Sequence, residues 1–123
     1  MMVAAAVRVL LVDDNAGFVA VLTALLQSNG FDVVACAHDG ADAVEAAERT
    51  QPEVVTMDLD MPVSDGVAAI RTIVALGIPV VVVTGSDSSE RADQAIAAGA
   101  TALVGKPDIA ATLSQRLREV VGE

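Results

Sequence analysis

The sequence predicts an α/β fold of the doubly wound (βα)5 kind, a five-stranded parallel sheet sandwiched between helices. Short apolar runs recur five times along the 123 residues, each followed by a stretch with the i, i+3, i+4 spacing of an amphipathic helix. The runs are continuously apolar, as in Val80-Val81-Val82-Val83, which is how strands covered on both faces read. The connections are short and helical, as parallel pairing requires.

The first strand lies near Val7 to Val12, and Phe18, Val21, Leu22, Leu25 and Leu26 form the stripe of a helix from about Ala16 to Ser28, closed by Gly30. A second strand near Asp32 to Ala37 leads through Asp39-Gly40 into a helix over Ala41 to Thr50, which Pro52 ends. Glu53 to Met57 is the third strand. Met61 to Gly66 has loop chemistry, after which Val67, Ile70, Ile73 and Val74 give a third helix closed by Gly77. Pro79 to Val83 is the fourth strand. Ser86 to Glu90 supplies N-caps for a helix ending at Ala98-Gly99, Ala102 to Gly105 is the fifth strand, and Ile109, Leu113, Leu117 and Val120 mark the last helix. Met1 to Ala6 reads as a loose end, and residues 7–121 as the core of a single domain spanning 1–123.

Composition narrows the function. With 54% apolar residues the chain builds a full core without disulfides. The lone Cys36, within Val33-Val34-Ala35-Cys36-Ala37, reads as a small buried hydrophobe, and a reducing, cytoplasmic setting follows. Arg8 interrupts the first apolar stretch and no cleavage pattern follows it, so neither export nor membrane insertion is expected. Seven basic residues against 17 acidic ones, a net charge of −10, argue against nucleic acid as a partner. His38 reads as a surface loop residue.

The chemistry sits where the strands end. Asp13-Asp14 follow the first strand, Asp58 the third, Thr84 the fourth and Lys106 the fifth; in a parallel sheet these all emerge at the carboxyl edge, where such folds bind ligands. Taken singly, the acidic pair could cap a helix, Thr84 begin a turn and Lys106 sit as a surface charge. Together they describe a pocket. Clustered carboxylates repel each other unless a cation offsets them, and Mg2+, which takes oxygen ligands and keeps several waters, is the natural candidate. Asp58 is then available as a nucleophile toward a phosphoryl group, with Thr84 and Lys106 stabilising the transferred oxygens.

At these residues the sequence resembles the receiver domain of bacterial two-component response regulators. The resemblance rests on Val9-Leu10-Leu11-Val12-Asp13-Asp14-Asn15, on Pro52 to Pro62 with Asp65-Gly66, on Pro79 to Gly85, and on Ala98-Gly99-Ala100 followed by Lys106-Pro107. It implies a flavodoxin-like fold and a signalling role in which Asp58 accepts phosphate from a sensor histidine kinase or phosphotransfer protein. It implies that Asp14, Asp58 and the main-chain carbonyl of Asp60 hold Mg2+ with Asp13 assisting through the metal's waters, that Thr84 is the switch hydroxyl, and that Lys106 pairs with the phosphate. It further implies a cis Lys106-Pro107 peptide, and a role for the Asp60 side chain in tuning hydrolysis. It implies, finally, that the chain catalyses only its own phosphorylation and dephosphorylation and passes the signal to a downstream protein or to an effector domain of a longer regulator.

Some positions depart from the family pattern. Leu103 stands where an aromatic switch residue is usual, Gly105 precedes the lysine, and Asp108 replaces a common Phe. Met57-Asp58 and Val104 to Pro107 are similar to receivers attached to chemotaxis methylesterases, a likeness confined to those two stretches. A phosphatase of the haloacid-dehalogenase type shares the Asp58-Leu59-Asp60 pattern, but places its nucleophile after the first strand and its acidic pair last, the reverse of the order here. A receiver used purely for docking, never phosphorylated, is disfavoured by retention of all five site residues.

Overall fold

The computed structural model of the chain describes residues 6–60, 66–85 and 89–122. Their order is β1 (Val7–Val12), α1 (Ala16–Ser28), β2 (Phe31–Ala37), α2 (Gly40–Thr50), β3 (Val54–Asp58), α3 (Gly66–Ala75), β4 (Val80–Thr84), α4 (Ser89–Ala97), β5 (Ala102–Gly105), a 3-10 turn (Lys106–Asp108) and α5 (Ile109–Val120). All strands run parallel in one sheet of order β2-β1-β3-β4-β5, the expected doubly wound arrangement. From β1 the chain moves outward to β2 and then returns to the other side of β1 as β3. That reversal opens a crevice beyond the carboxyl ends of β1 and β3.

Alternate strand residues point to opposite faces, and each face has its own core. Val9 and Leu11 of β1, with Val54, Val81, Val83 and Val104, pack against Leu22 and Leu26 of α1 and Leu113 and Leu117 of α5. Leu10 and Val12, with Val55, Met57, Val80 and Val82, meet Ala43 and Ala47 of α2, Ile70 and Ile73 of α3 and Ala95 of α4. Each large side chain buried this way contributes roughly 1.5–3 kcal/mol. Gly99 ends α4 with φ +112°, and a Cβ there would stand 3.0 Å from Val74 Cγ1, so both backbone and packing demand glycine.

Several expectations are corrected. Asp58 and Thr84 are the last residues of β3 and β4 and do not follow them. Cys36 is exposed: β2 is the edge strand of the sheet, and its residues 32–36 are only half-buried or exposed. No cis peptide occurs among the described residues, so Lys106-Pro107 is trans. Pro107 sits in the first turn leading into α5, where its missing N–H leaves nothing unsatisfied and the ordinary trans preference holds. The expected loop over 61–65 and the N-caps at 86–88 lie outside the described residues, as do residues 1–5 of the loose end.

Ile73 is fully buried in the α2–α4 core. Ile73→Ala should lower the unfolding free energy by about 2–5 kcal/mol, read from urea unfolding with an unchanged slope; a loss below about 1 kcal/mol would contradict the packing described.

Candidate functional site

The end of β1 is fixed before its acids do any chemistry. The Asp13 N–H donates to Ala37 O at 3.0 Å, continuing the sheet one residue past the strand. Its carboxylate turns inward, where Oδ1 accepts from the Asn15 N–H at 2.8 Å. Asn15, not the acidic pair, caps α1, its Oδ1 accepting from the Phe18 N–H. That leaves Asp13 Oδ2 buried without a hydrogen-bond partner, an arrangement that costs free energy unless a cation sits nearby.

Asp58, 3% exposed, completes β3 beside it. Its Oδ1 accepts from the Asp60 N–H at 2.9 Å and lies 3.4 Å from Lys106 Nζ. Burial raises the Asp58 pKa from the usual 3.8 to about 6. The Asp60 N–H and the Lys106 ammonium oppose that rise, while the charges of Asp13 and Asp60 add to it.

Asp14 projects outward and is exposed, yet one oxygen from each of Asp13, Asp14 and Asp58 falls within 4.8 Å of the others. The donor set is entirely oxygen, one member is orphaned and buried, and the charges repel. These residues fit a hard divalent cation such as Mg2+, which accepts few protein ligands and retains water.

Lys106 reaches this cluster from the turn after β5. Its ammonium lies 4.0 Å from Asp13 Oδ2, 3.4 Å from Asp58 Oδ1 and 3.9 Å from Asp60 Oδ2, and its other side rests on the Phe18 ring, 4.7 Å from the centroid. Thr84 ends β4 in register with Gly105, one residue beyond the Val83 that pairs with Asp58. The site residues read from the sequence therefore share one edge of the sheet.

Three further residues belong here. Phe18 packs against the α1–α5 core as its place in the stripe implies, and its half-buried ring also lies under the lysine. Gly85 donates its N–H to Asp60 Oδ2 at 2.8 Å. Arg91 of α4 donates to Leu59 O, tying that helix to the residue after Asp58. For none of these contacts does sequence spacing carry a signal, because each joins separate elements.

The geometry has close counterparts. A family profile described as the response regulator receiver domain matches residues 9–118. The chain is 43% identical over 127 residues to protein-glutamate methylesterase/protein-glutamine glutaminase 5 of Myxococcus xanthus, covering all of this chain and 36% of that protein. The chain thus spans only about a third of that relative's length. Its fold superposes with a TM-score of 0.87 on the response regulator domain of Thermotoga maritima CheB, at 30% identity over 96% of this chain and 98% of that one. It also matches the receiver domain of sensor histidine kinase PA1611 from Pseudomonas aeruginosa, at TM-score 0.85 and 32% identity over 97% and 100% of the chains, a structure solved with magnesium coordinated in its active-site cleft.

The raised Asp58 pKa has a definite sign for stability. The folded state holds this proton more tightly than the unfolded chain, so stability falls as pH rises from about 4 through about 6, and the ionised group burdens the fold at neutral pH. Asp58→Asn should therefore be more stable than the native protein at pH 7.5 in chelator, by on the order of 1–3 kcal/mol, with the gain shrinking toward pH 4. Urea unfolding at the two pH values checks both parts.

Proposed function

This chain belongs to the response regulator receiver domain family, and from that membership we propose that Asp58 is its phosphoacceptor in a Mg2+-dependent reaction. It is a signalling module of two-component systems. The observation that carries the residue assignment is the placement of a buried Asp58 within reach of both an acidic pair and a lysine ammonium. The receiver unit occupies about residues 7–121.

In the forward step an Asp58 carboxylate oxygen attacks the phosphorus of a phosphohistidine on a sensor kinase or phosphotransfer protein. A P–O bond forms, the P–N bond breaks, and the electron pair returns to the imidazole. Asp13, Asp14, Asp58 and the Asp60 carbonyl would hold Mg2+, which would supply charge neutralisation for the transferring oxygens. Lys106 pairs with the same oxygens, and the Thr84 hydroxyl donates to them. Water later cleaves the acyl phosphate, releasing inorganic phosphate and restoring the carboxylate. The catalysis is confined to the chain's own modification.

The output is a population shift. Phosphate on Asp58 draws Thr84 and Lys106 inward and favours one arrangement of α4, β5 and α5, which a partner reads. Leu103, 39% exposed on β5, stands where the family usually has an aromatic switch residue, so the signal here runs without one. The likeness to methylesterases supports a regulated effector of that kind, on the same polypeptide or a separate one, and the proposed setting is the cytoplasm. No described helix is long and apolar enough to cross a membrane.

Intact-protein mass after incubation with Mg2+ and acetyl phosphate tests the assignment. The native chain should gain one phosphoryl group, Asp58→Asn none, and prior chelation should abolish the gain. No gain by the native protein, under conditions that label a known receiver, would overturn it. Thr84→Ala should still accept the group while showing smaller amide shifts across α4 and β5 than the native protein does, measured by NMR.

A further inference from the structure

Asp60 joins three parts of the site. Its N–H donates to Asp58 Oδ1 at 2.9 Å, its Oδ2 accepts from the Gly85 N–H at 2.8 Å, and the same oxygen lies 3.9 Å from Lys106 Nζ. The fit is close: a Cβ on Gly85 would stand 3.4 Å from Asp60 Oδ2 and 3.1 Å from Lys106 Cδ. The first is an ordinary contact and the second asks the lysine chain to give by a few tenths of an ångström, so the carboxylate lies across the end of β4 beside the lysine in van der Waals fit. The side chain is 27% exposed, so the contact is held at the mouth of the pocket and not in the core.

Resting on the reading of Asp58 as phosphoacceptor, we propose that the Asp60 carboxylate is an internal placeholder for the phosphoryl group. A phosphoryl on Asp58 brings anionic oxygens that need donors beside that residue. The Gly85 N–H and the Lys106 ammonium are donors at that edge, and in the resting protein Asp60 engages both. A carboxylate and a phosphoryl group cannot share them, because like charges repel at such distances. Arrival of the phosphoryl group therefore swings the Asp60 side chain out toward solvent. The resting contact lowers the affinity of the open site by the fraction of time it is closed. The feature thus acts before acceptance and is separate from any effect on hydrolysis.

Beryllofluoride, a phosphoryl mimic, tests this when titrated at saturating Mg2+ into the native protein, Asp60→Ala and Asp60→Asn with the Gly85 amide followed by NMR. Asp60→Ala should bind it about three- to tenfold more tightly than native. Asp60→Asn, which keeps an acceptor for Gly85 but no charge for Lys106, should fall between. The Gly85 amide proton should lose its downfield position in unliganded Asp60→Ala and regain it on binding, a signature that a purely structural loop residue would not give. Native or weaker affinity in Asp60→Ala, with Mg2+ affinity and unfolding midpoint unchanged, overturns the placeholder alone; should that variant fold poorly, Asp60→Asn decides by the same criterion. Absence of any saturable shift in all three proteins overturns the phosphoacceptor reading, and the placeholder with it.

Discussion

Asp13 and Asp58 are each 3% exposed, and with Asp14 their oxygens gather within 4.8 Å. Holding like charges that close in a poorly hydrated space is unfavourable, by several kcal/mol per uncompensated ion, and the rest of the carboxyl edge is arranged around that cost. The raised Asp58 pKa expresses it directly, with burial as the largest cause. A domain that stores repulsion at one point responds strongly to any positive charge delivered there.

The sheet makes this arrangement possible by dividing labour between its strands. β1 and β3, adjacent at the reversal of the chain, present the acids from positions fixed by ladder hydrogen bonds. β5 brings a cation from the other side of β4, and Lys106 touches three carboxylates at once. Phe18 supports that ammonium from α1 without adding charge. Leu59 is tied twice, by its N–H to Val83 O and by its carbonyl to Arg91. The strand that carries the acceptor is therefore linked to β4 and α4, the next elements toward β5.

Much of this was legible in the sequence for physical reasons. Strands buried on both faces leave continuous apolar runs, and parallel order then dictates that polar residues at their ends converge, which is why Asp13, Asp14, Asp58, Thr84 and Lys106 could be grouped without coordinates. Failures occurred where the cause is tertiary. Cys36 is exposed because β2 is an edge strand, and an apolar run by itself does not say which strand will lie at the edge. The trans Lys106-Pro107 bond departs from what family likeness implied. Phe18 does pack in the core stripe its spacing predicts, but its added contact with Lys106 depends on how α1 and the turn after β5 meet. The family likeness draws attention to Asp60 for its carbonyl and for hydrolysis, but the bond from Gly85 that holds its resting side chain joins residues 25 positions apart.

The strands differ in how firmly their side chains anchor them. All five residues of β3 are buried, whereas in β5 only Val104 is. Local opening is easiest where few apolar contacts must be broken, so the sheet has a gradient of mechanical stiffness running from β3 to its β5 margin. Asp58 sits on the rigid part, and Lys106 hangs from the compliant one. The molecule is thus built like a gauge, with a fixed anvil at one end and a deflecting arm at the other.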